Sequence, residues 1–377
     1  MNPRHYFPLG KASGAAFCNR VEETQKLIGN FKNGKHTLLS APRRYGKSSL
    51  CERAFELTTI PSAKLDFHLA VSDKDVERII INGVIELVGK TIGAVEKLSA
   101  VLRKYTKRLK PKFGVGGKYF HLELAIADDS SPAENIAEAL LLLEKLLQEK
   151  NKQAILLFDE FQEIGQLKKG RGIEGAIRHV GQDTQKLSFI FSGSNPHVLK
   201  NMFEDERRPL YKLCRKLMLG SISDVHYKEH LNKASKAMWN TLLDIEVFTY
   251  IMEVTERHPY YINYLCDVLW EESKVIPHLD SATKAWEAVV EEERSDLLKD
   301  FFRLTENQRK LLIYIAKGNG NEIYSNEAAK AMDIPVSSIS RGLNSLVEGD
   351  YIEKTEAGYR LVVPVYKTLL KVKFYKE

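Results

Sequence analysis

Short apolar runs alternate with amphipathic stretches through the first two-thirds of this 377-residue chain. Four apolar runs have the length expected of buried strands, at residues 36–41, 64–71, 154–158 and 187–193. Apolar residues recur at helical spacing over residues 47–58, 74–100, 132–150 and 171–183. Strands separated by helices favour a mostly parallel α/β sheet.

The rest of the chain departs from this alternation in three ways. Residues 101–131 run from a basic stretch through Gly114, Gly116 and Gly117 into an alternating pattern, which predicts an insertion that contains a β-hairpin. Residues 222–302 are helical in pattern, without a clear strand. Beyond them, Thr305 and Gln308 have the spacing of a capping box at the start of a helix.

Two more helices and a two-stranded wing follow that capping box, so residues 303–377 are predicted to form a winged helix-turn-helix. The last of its three helices carries its apolar face on Val336, Ile339, Leu343 and Leu346. The sequence thus predicts an α/β core over residues 1–221, a helical lid over 222–302 and a winged helix-turn-helix over 303–377.

Residues 38–50, LLSAPRRYGKSSL, follow a predicted strand and open a predicted helix. The pattern is that of a phosphate-binding loop, in which backbone N–H groups and the helix N-terminus face phosphates. Lys47 would reach the β- and γ-phosphates, and Ser48 would place its hydroxyl on Mg²⁺. Ala41 replaces the first glycine, which is tolerable if φ is not positive there. The predicted nucleotide-binding residues of the loop are Pro42, Arg43, Arg44, Tyr45, Gly46, Lys47, Ser48 and Ser49. The alternative is a basic helix start that binds nothing.

An acidic pair ends the third apolar run, where Asp159 and Glu160 follow Phe158. In a Mg²⁺-dependent ATPase, Asp159 would hold the metal shell and Glu160 would orient the attacking water. The fourth run ends in Ser192, Ser194 and Asn195, one of which would sense the γ-phosphate or position that water. The predicted catalytic residues are Glu160, Lys47 and Asn195. Solvated acids and ordinary turn residues are the alternatives.

The composition argues against a disulfide framework, a cysteine or histidine metal site and a membrane protein as classes for this chain. The four cysteines form no Cys-x-x-Cys pair, and the histidines show no metal-ligand spacing. No apolar run approaches a membrane span, and the first residues lack the apolar region of a signal peptide, so we predict a cytoplasmic protein without a membrane partner. The net charge of +6 permits an anionic partner without requiring one.

These motifs together resemble the archaeal-type ATPase family, a branch of the AAA+/STAND-like P-loop ATPases. The resemblance covers nearly the whole chain and rests on FCNRVEETQKL, APRRYGKSSL (Walker A), LLFDEFQEI (Walker B), FSGSNPHVL, RRPLYKL, ERHPYYINYLCD and the winged helix. It implies an ATP-driven switch with Mg²⁺, slow or partner-stimulated hydrolysis, oligomerisation on ATP binding and a nucleotide between core and lid. It also implies adenine contacts from Phe17, Arg20 and Pro259.

The chain departs from the family pattern at Ala41, at Asn19 and Val21 near the start, and at Arg257, where the lid often has glycine. Asn19 and Val21 replace a usual glycine and a usual acidic residue, which puts the adenine contacts in question. Arg257 could instead be a lid arginine that reaches the phosphates. A trans-acting arginine would lie at Arg207, Arg208 or Arg215.

The client of the switch has two candidates, duplex DNA and a protein. The winged helix would contact DNA through Ser337, Ser338, Arg341 and Asn344, yet residues 303–377 carry only 12 basic against 9 acidic side chains. The basic stretch 103–118, with interleaved aromatics, is a second candidate surface for nucleic acid. The alternatives are a nucleotide-gated protein-interaction module with little turnover and no DNA contact, and a transcription regulator whose loop no longer turns over ATP.

Overall fold

The computed structural model describes residues 5–92, 109–116, 119–126 and 131–374. Its chain divides into two compact units. The sheet unit comprises Arg20–Arg43 and Leu50–Leu219, and the helical unit comprises Met1–Asn19, Arg44–Ser49 and Gly220–Glu377. The chain therefore passes between the units four times, and two of these passages flank the short segment Arg44–Ser49.

The sheet unit contains the predicted α/β alternation. Its elements are α1 (Val21–Lys32), β1 (Thr37–Ser40), α2 (Lys47–Glu56, begun in the loop segment), β2 (Ser62–Asp66), α3 (Asp73–Ile92), β3 (Leu109–Gly116), β4 (Tyr119–Ile126), α4 (Pro132–Glu149), β5 (Ala154–Asp159), α5 (Gly170–Gly181), β6 (Leu187–Gly193), α6 (Pro196–Glu204) and β7 (Arg215–Met218). A short 3₁₀ helix covers Phe161–Gln166.

Five of these strands form one parallel sheet in the order β2-β5-β6-β1-β7. Every residue of β5 and β6 is buried, as expected for central strands covered on both faces. Strand β1 pairs with β6 and β5 pairs with β6 on its other side, so the carboxyl ends of these three strands lie along one edge of the sheet. Ligands bind at that edge in parallel sheets.

Two strand predictions need correction. The strand expected over residues 64–71 is Ser62–Asp66, because Asp66 Oδ1 accepts a hydrogen bond from the His68 backbone N–H and turns the chain. Leu69 and Val71, which extended the apolar run, are 84% and 85% exposed. Strand β7 was not predicted, since it is an edge strand in which only Leu217 is buried.

Strands β3 and β4 pair antiparallel over their full lengths, so the hairpin expected in the insertion is present. Residues 93–108, 117–118 and 127–130, which include half of the basic stretch 103–118, lie outside the described residues.

The helical unit is built from α7 (Asp224–Trp239), α8 (Ile245–Val254), α9 (Pro259–Glu272), α10 (Leu279–Arg303), α11 (Glu306–Ala316), α12 (Asn326–Met332), α13 (Val336–Glu348), the antiparallel hairpin β8 (Ile352–Thr355) and β9 (Gly358–Leu361), and α14 (Pro364–Phe374). The three helices α11–α13 followed by a hairpin are the elements that the sequence predicted. The predicted capping box is present, with Thr305 and Gln308 each bonded to the other's backbone.

Two apolar clusters form the core of this unit. One gathers Phe7, Trp270 and Trp286, and the other is centred on helices α11–α13. Helix α14 belongs to both, because Val365 and Leu369 join the first cluster and Tyr366 and Leu370 join the second. On α13, Ile339, Leu343 and Leu346 of the predicted apolar face are fully buried, whereas Val336 of that face is 47% exposed at the first turn. In the described ranges, no helix combines the length and the apolar character required to cross a membrane.

Candidate functional site

Asp159 ends β5 as a buried carboxylate with both oxygens engaged. Ser192 Oγ, on the neighbouring strand β6, donates to Asp159 Oδ1 at 2.6 Å. Lys64 Nζ, on the other neighbour β2, lies 2.6 Å from Asp159 Oδ2. Burial acts to lower the pKa of Lys64, but the hydrogen bond and attraction to Asp159 outweigh it and raise that pKa. Sequence reasoning missed Lys64, because only strand order brings the two residues together.

Glu160 follows directly and has a left-handed backbone, with φ at 54°. Its Oε2 atom accepts three hydrogen bonds, from Ser194 Oγ at 2.7 Å, the Ser194 backbone N–H at 3.1 Å and Gln162 Nε2 at 2.6 Å. None of these three bonds uses Oε1, the oxygen that can accept a hydrogen bond from a water. The carboxylate is therefore oriented by residues from two neighbouring strand ends.

Gln162 and Ser194 complete this arrangement. Ser194 belongs to the polar cluster expected at the end of the fourth apolar run, whereas Gln162 was not singled out by the sequence. A Cβ atom added at Gly193 would lie 1.9 Å from Gln162 Oε1, so a larger residue there would require the Gln162 side chain to shift. The signal was present in the DEFQ segment, where Gln162 stands two residues after Glu160. Asn195 lies at the same strand end, where its Oδ1 accepts from the Val198 backbone N–H at 3.0 Å and caps α6. Its catalytic role stays a prediction.

The phosphate loop connects β1 to α2. Ala41 is buried and does not have a positive φ, so the methyl group at this position is accommodated without strain. The left-handed positions of the loop are Arg44, with φ at 62°, and Gly46, with φ at 88°. Such turns direct successive backbone N–H groups to one side and suit anions. Lys47 begins α2 and is buried, Ser48 and Pro42 are half-buried, and Arg43 is exposed.

The loop segment Arg44–Ser49 contacts other residues of the helical unit. The guanidinium carbon of Arg44 lies 4.0 Å from the ring centroid of Tyr260, and Arg44 Nη1 lies 3.8 Å from Glu293 Oε1. The Tyr45 ring packs edge-on against His258 at 4.8 Å between centroids. The Ala12 backbone N–H donates to Ser49 Oγ at 3.0 Å.

The residues expected beside an adenine lie in both units. In the helical unit, Phe17 is half-buried after a short 3₁₀ helix (Gly14–Ala16), and Pro259 is the first residue of α9. In the sheet unit, Arg20 precedes α1 and pairs with Glu23 at 2.9 Å. Asn19 has φ at 55°, and asparagine adopts left-handed backbone more readily than most residues, which explains how it replaces the family's glycine.

The arginines considered for a trans-acting or lid role differ in their burial and in their ion-pair partners. Arg208 is largely buried and pairs with the fully buried Glu174. Arg207 is 84% exposed and pairs with Asp205, and Arg215 is exposed in β7. Arg257, also left-handed, bonds both oxygens of Asp224 at 2.8 Å.

These residues fit ATP and Mg²⁺ as ligands. Asp159 is a buried carboxylate that already holds a cation, the Lys64 ammonium, and the loop has the left-handed turns and helix start that phosphates need. Among the described residues, no three His, Cys, Asp or Glu side chains form a ready-made metal site. Mg²⁺ is usually held by one or two carboxylates together with substrate phosphates.

Neither a protein-family model nor a curated protein matches this chain. Solved structures do. A Walker-type ATPase of Pyrococcus abyssi has a TM-score of 0.69 and 18% identity over 97% of this chain and 99% of its own. The Aeropyrum pernix ORC2 protein, solved as ADPNP–ADP complexes, has a TM-score of 0.56 and 12% identity over 100% and 99%. The Aeropyrum pernix ORC1 protein in complex with DNA has a TM-score of 0.50 and 12% identity over 99% and 96%.

At identities this low, the likeness to these structures establishes the fold alone. The shared fold extends over nearly the whole chain, because the matches cover almost all of it. The parallel sheet order, the loop after β1 and the acidic end of β5 agree with it. The resemblance to archaeal-type ATPases is thus confirmed at the level of the fold, and the chain has the P-loop fold of the AAA+ ATPases.

Proposed function

We propose that this protein is a Mg²⁺-dependent ATPase that acts as a nucleotide-driven switch. The observation that carries the proposal is the anchored pair Asp159–Glu160 at the end of β5, in a sheet whose strand β1 leads into a phosphate loop. The paired carboxylates have distinct surroundings, because Asp159 contacts a cation while Glu160 accepts only neutral donors among its described bonds. Two carboxylates with different surroundings suit different roles.

The division of roles follows from these surroundings. The loop residues Pro42–Ser49 would cradle the phosphates through backbone N–H groups, with Lys47 as the charged partner of the β- and γ-phosphates. Ser48 and Asp159 would hold the Mg²⁺ that neutralises charge on the phosphate oxygens. Glu160 would orient the attacking water through Oε1, since Oε2 is held by Ser194 and Gln162. Asn195, which follows Ser194, is proposed to contact the γ-phosphate or that water.

The test is ATP hydrolysis by the pure protein beside Lys47→Ala and Glu160→Gln. We expect turnover in the wild type and its loss in both variants, with ATP binding retained in Glu160→Gln because the loop is untouched. Glu149→Gln removes the same charge from an exposed position on α4 and should behave as the wild type. A wild-type protein that neither binds nor hydrolyses ATP would show the loop to be a remnant.

Duplex DNA is the client that one further observation favours over a protein. Ser337, Arg341 and Asn344 are exposed on α13, opposite its buried apolar face, and the ORC1 protein of similar fold was solved in complex with DNA. DNA affinity should fall as the salt concentration rises, because basic side chains that contact phosphates release counterions. Arg341→Ala should reduce the affinity. Absence of DNA binding at low salt would instead favour the protein client and the interaction module.

A further inference from the structure

The Arg44 side chain joins the phosphate loop to two helices of the helical unit. Its guanidinium lies over the ring of Tyr260 on α9 and beside the carboxylate of Glu293 on α10, at 4.0 Å and 3.8 Å. A guanidinium over an aromatic face is attracted by the ring's quadrupole, and Glu293 adds an opposite charge. Both contacts lie within one compact unit, since the loop segment Arg44–Ser49 belongs to it.

The backbone conformation of Arg44 indicates what these side-chain contacts stabilise. A residue with a side chain is disfavoured at a φ of 62°, and such conformations persist where surrounding contacts hold them. Arg44 stands two residues before Gly46 and three before Lys47, so its conformation determines how the loop enters α2. The contacts of the guanidinium are therefore able to stabilise the loop shape that presents N–H groups to phosphates.

Glu293 is itself held in place on α10. The Tyr261 hydroxyl donates to Glu293 Oε2 at 2.8 Å, and the Glu293 side chain is only 19% exposed. Tyr260 and Tyr261 are adjacent on α9, so this helix contributes one contact to Arg44 directly and a second through Glu293. The loop is consequently linked to α9 and α10 at the same time.

We propose that Tyr260 and Glu293 are positioning residues for the phosphate loop, which hold Arg44 and thereby couple nucleotide binding to the helices α9 and α10. The coupling rests on the proposed function, whereas the holding of the loop does not. Because linkage is reciprocal, a nucleotide that requires the held loop also strengthens the packing of these helices.

The test compares Tyr260→Leu, Tyr260→Phe and Glu293→Gln with the wild type. In nucleotide-free protein, Tyr260→Leu and Glu293→Gln should speed hydrogen exchange of the loop amides between Arg43 and Ser48, while Tyr260→Phe, which keeps the ring, should not. With the fluorescent analogue mant-ATP and Mg²⁺, Tyr260→Leu should weaken binding about fivefold, the range of one exposed cation–π contact. It should also abolish nucleotide-dependent protection of α9 and α10.

Arg294→Ala is the matched control, because Arg294 neighbours Glu293 on α10 and pairs with Glu291 instead. Since Tyr260 is half-buried, the variants should remain folded, which their unfolding curves check. Unchanged loop exchange in Tyr260→Leu and Glu293→Gln overturns the proposal, whether or not nucleotide binds. A wild-type protein without mant-ATP binding refutes the proposed function and the coupling together, while loop exchange still decides whether Tyr260 and Glu293 hold Arg44.

Discussion

The ammonium group of Lys64 lies 2.6 Å from Oδ2 of Asp159, the residue expected to hold Mg²⁺. The pair is contributed by neighbouring parallel strands, and Ser192 occupies the other carboxylate oxygen. A fixed cation in this position neutralises Asp159 when no metal is present. A metal ion that binds Asp159 has to compete with it.

Lys64→Met should therefore lower the Mg²⁺ concentration that supports half-maximal ATP binding. An ion pair of this kind contributes up to about 1 kcal/mol, which corresponds to a shift of about fivefold. Lys90→Met is the control, because Lys90 pairs with Glu86 at the same 2.6 Å on the surface of α3. An unchanged Mg²⁺ requirement in Lys64→Met would show that the lysine does not compete with the metal.

Ser192 in β6 and Ser194 directly after it should affect different kinetic parameters. Ser194→Ala removes a hydrogen bond that orients Glu160, so kcat should fall about tenfold while KM for ATP stays constant. Ser192→Ala removes a bond to Asp159 and should change the Mg²⁺ requirement, with kcat retained at saturating Mg²⁺. Steady-state kinetics at several Mg²⁺ concentrations separate the two effects. If both variants changed the same parameter, the division of roles between Asp159 and Glu160 would be wrong.

The alanine at the start of the phosphate loop should not limit nucleotide binding. Ala41 has no positive φ, so Ala41→Gly should leave ATP affinity within about twofold of the wild type. Gly46→Ala is the informative contrast, because φ is 88° there although the added Cβ would meet no atom within 4 Å. Strain alone should weaken ATP binding about tenfold in that variant. Titration with mant-ATP measures both, and a marked gain in Ala41→Gly would contradict the prediction.

Two adjacent arginines should differ sharply in their effect on stability. Arg208→Ala leaves the fully buried Glu174 without its partner and should cost about 3 kcal/mol of unfolding free energy. Arg207→Ala alters an exposed pair and should leave the urea unfolding curve unchanged. Of the two, only Arg207 is then suitable as a trans-acting arginine. Equal stability of the two variants would refute this assignment.

The stability of the protein should depend on pH through Glu174. Burial raises the pKa of this carboxyl from 4.5 to about 7, against the opposing effects of Arg208 and Arg171. The folded state therefore holds the proton more tightly than the unfolded chain, and the contribution of Glu174 to stability falls as pH rises between these values.

Glu174→Gln removes that titration. Its unfolding free energy relative to the wild type should consequently rise by about 3 kcal/mol between pH 4.5 and pH 7.5. Urea unfolding at both pH values measures this difference. Glu149→Gln, which changes an exposed carboxylate, serves as the control. A relative stability of Glu174→Gln that does not change with pH would show that folding leaves the pKa of Glu174 unshifted.

Sequence patterns predicted the elements that are determined by residues close together along the chain. Strands β5 and β6 are continuous apolar runs, and the capping box at Thr305 depends on four consecutive residues. Edge strand β7 has a single buried residue and therefore left no such pattern. The partners of Asp159 and Arg44 could not be predicted, because Lys64 and Tyr260 approach them only through the order of strands and the packing of helices.

The two units differ in how far apart in synthesis their packing partners are made. All of the sheet unit lies between residues 20 and 219, so a ribosome has produced its strands before the bundle helices exist. The helical unit, by contrast, packs Phe7 against Trp270 and shares that cluster with Leu369 of α14. Phe7 is synthesised well before Trp270 and Leu369, so its packing partners emerge from the ribosome only later. Until then its apolar side chain is a site at which a chaperone can bind the nascent protein.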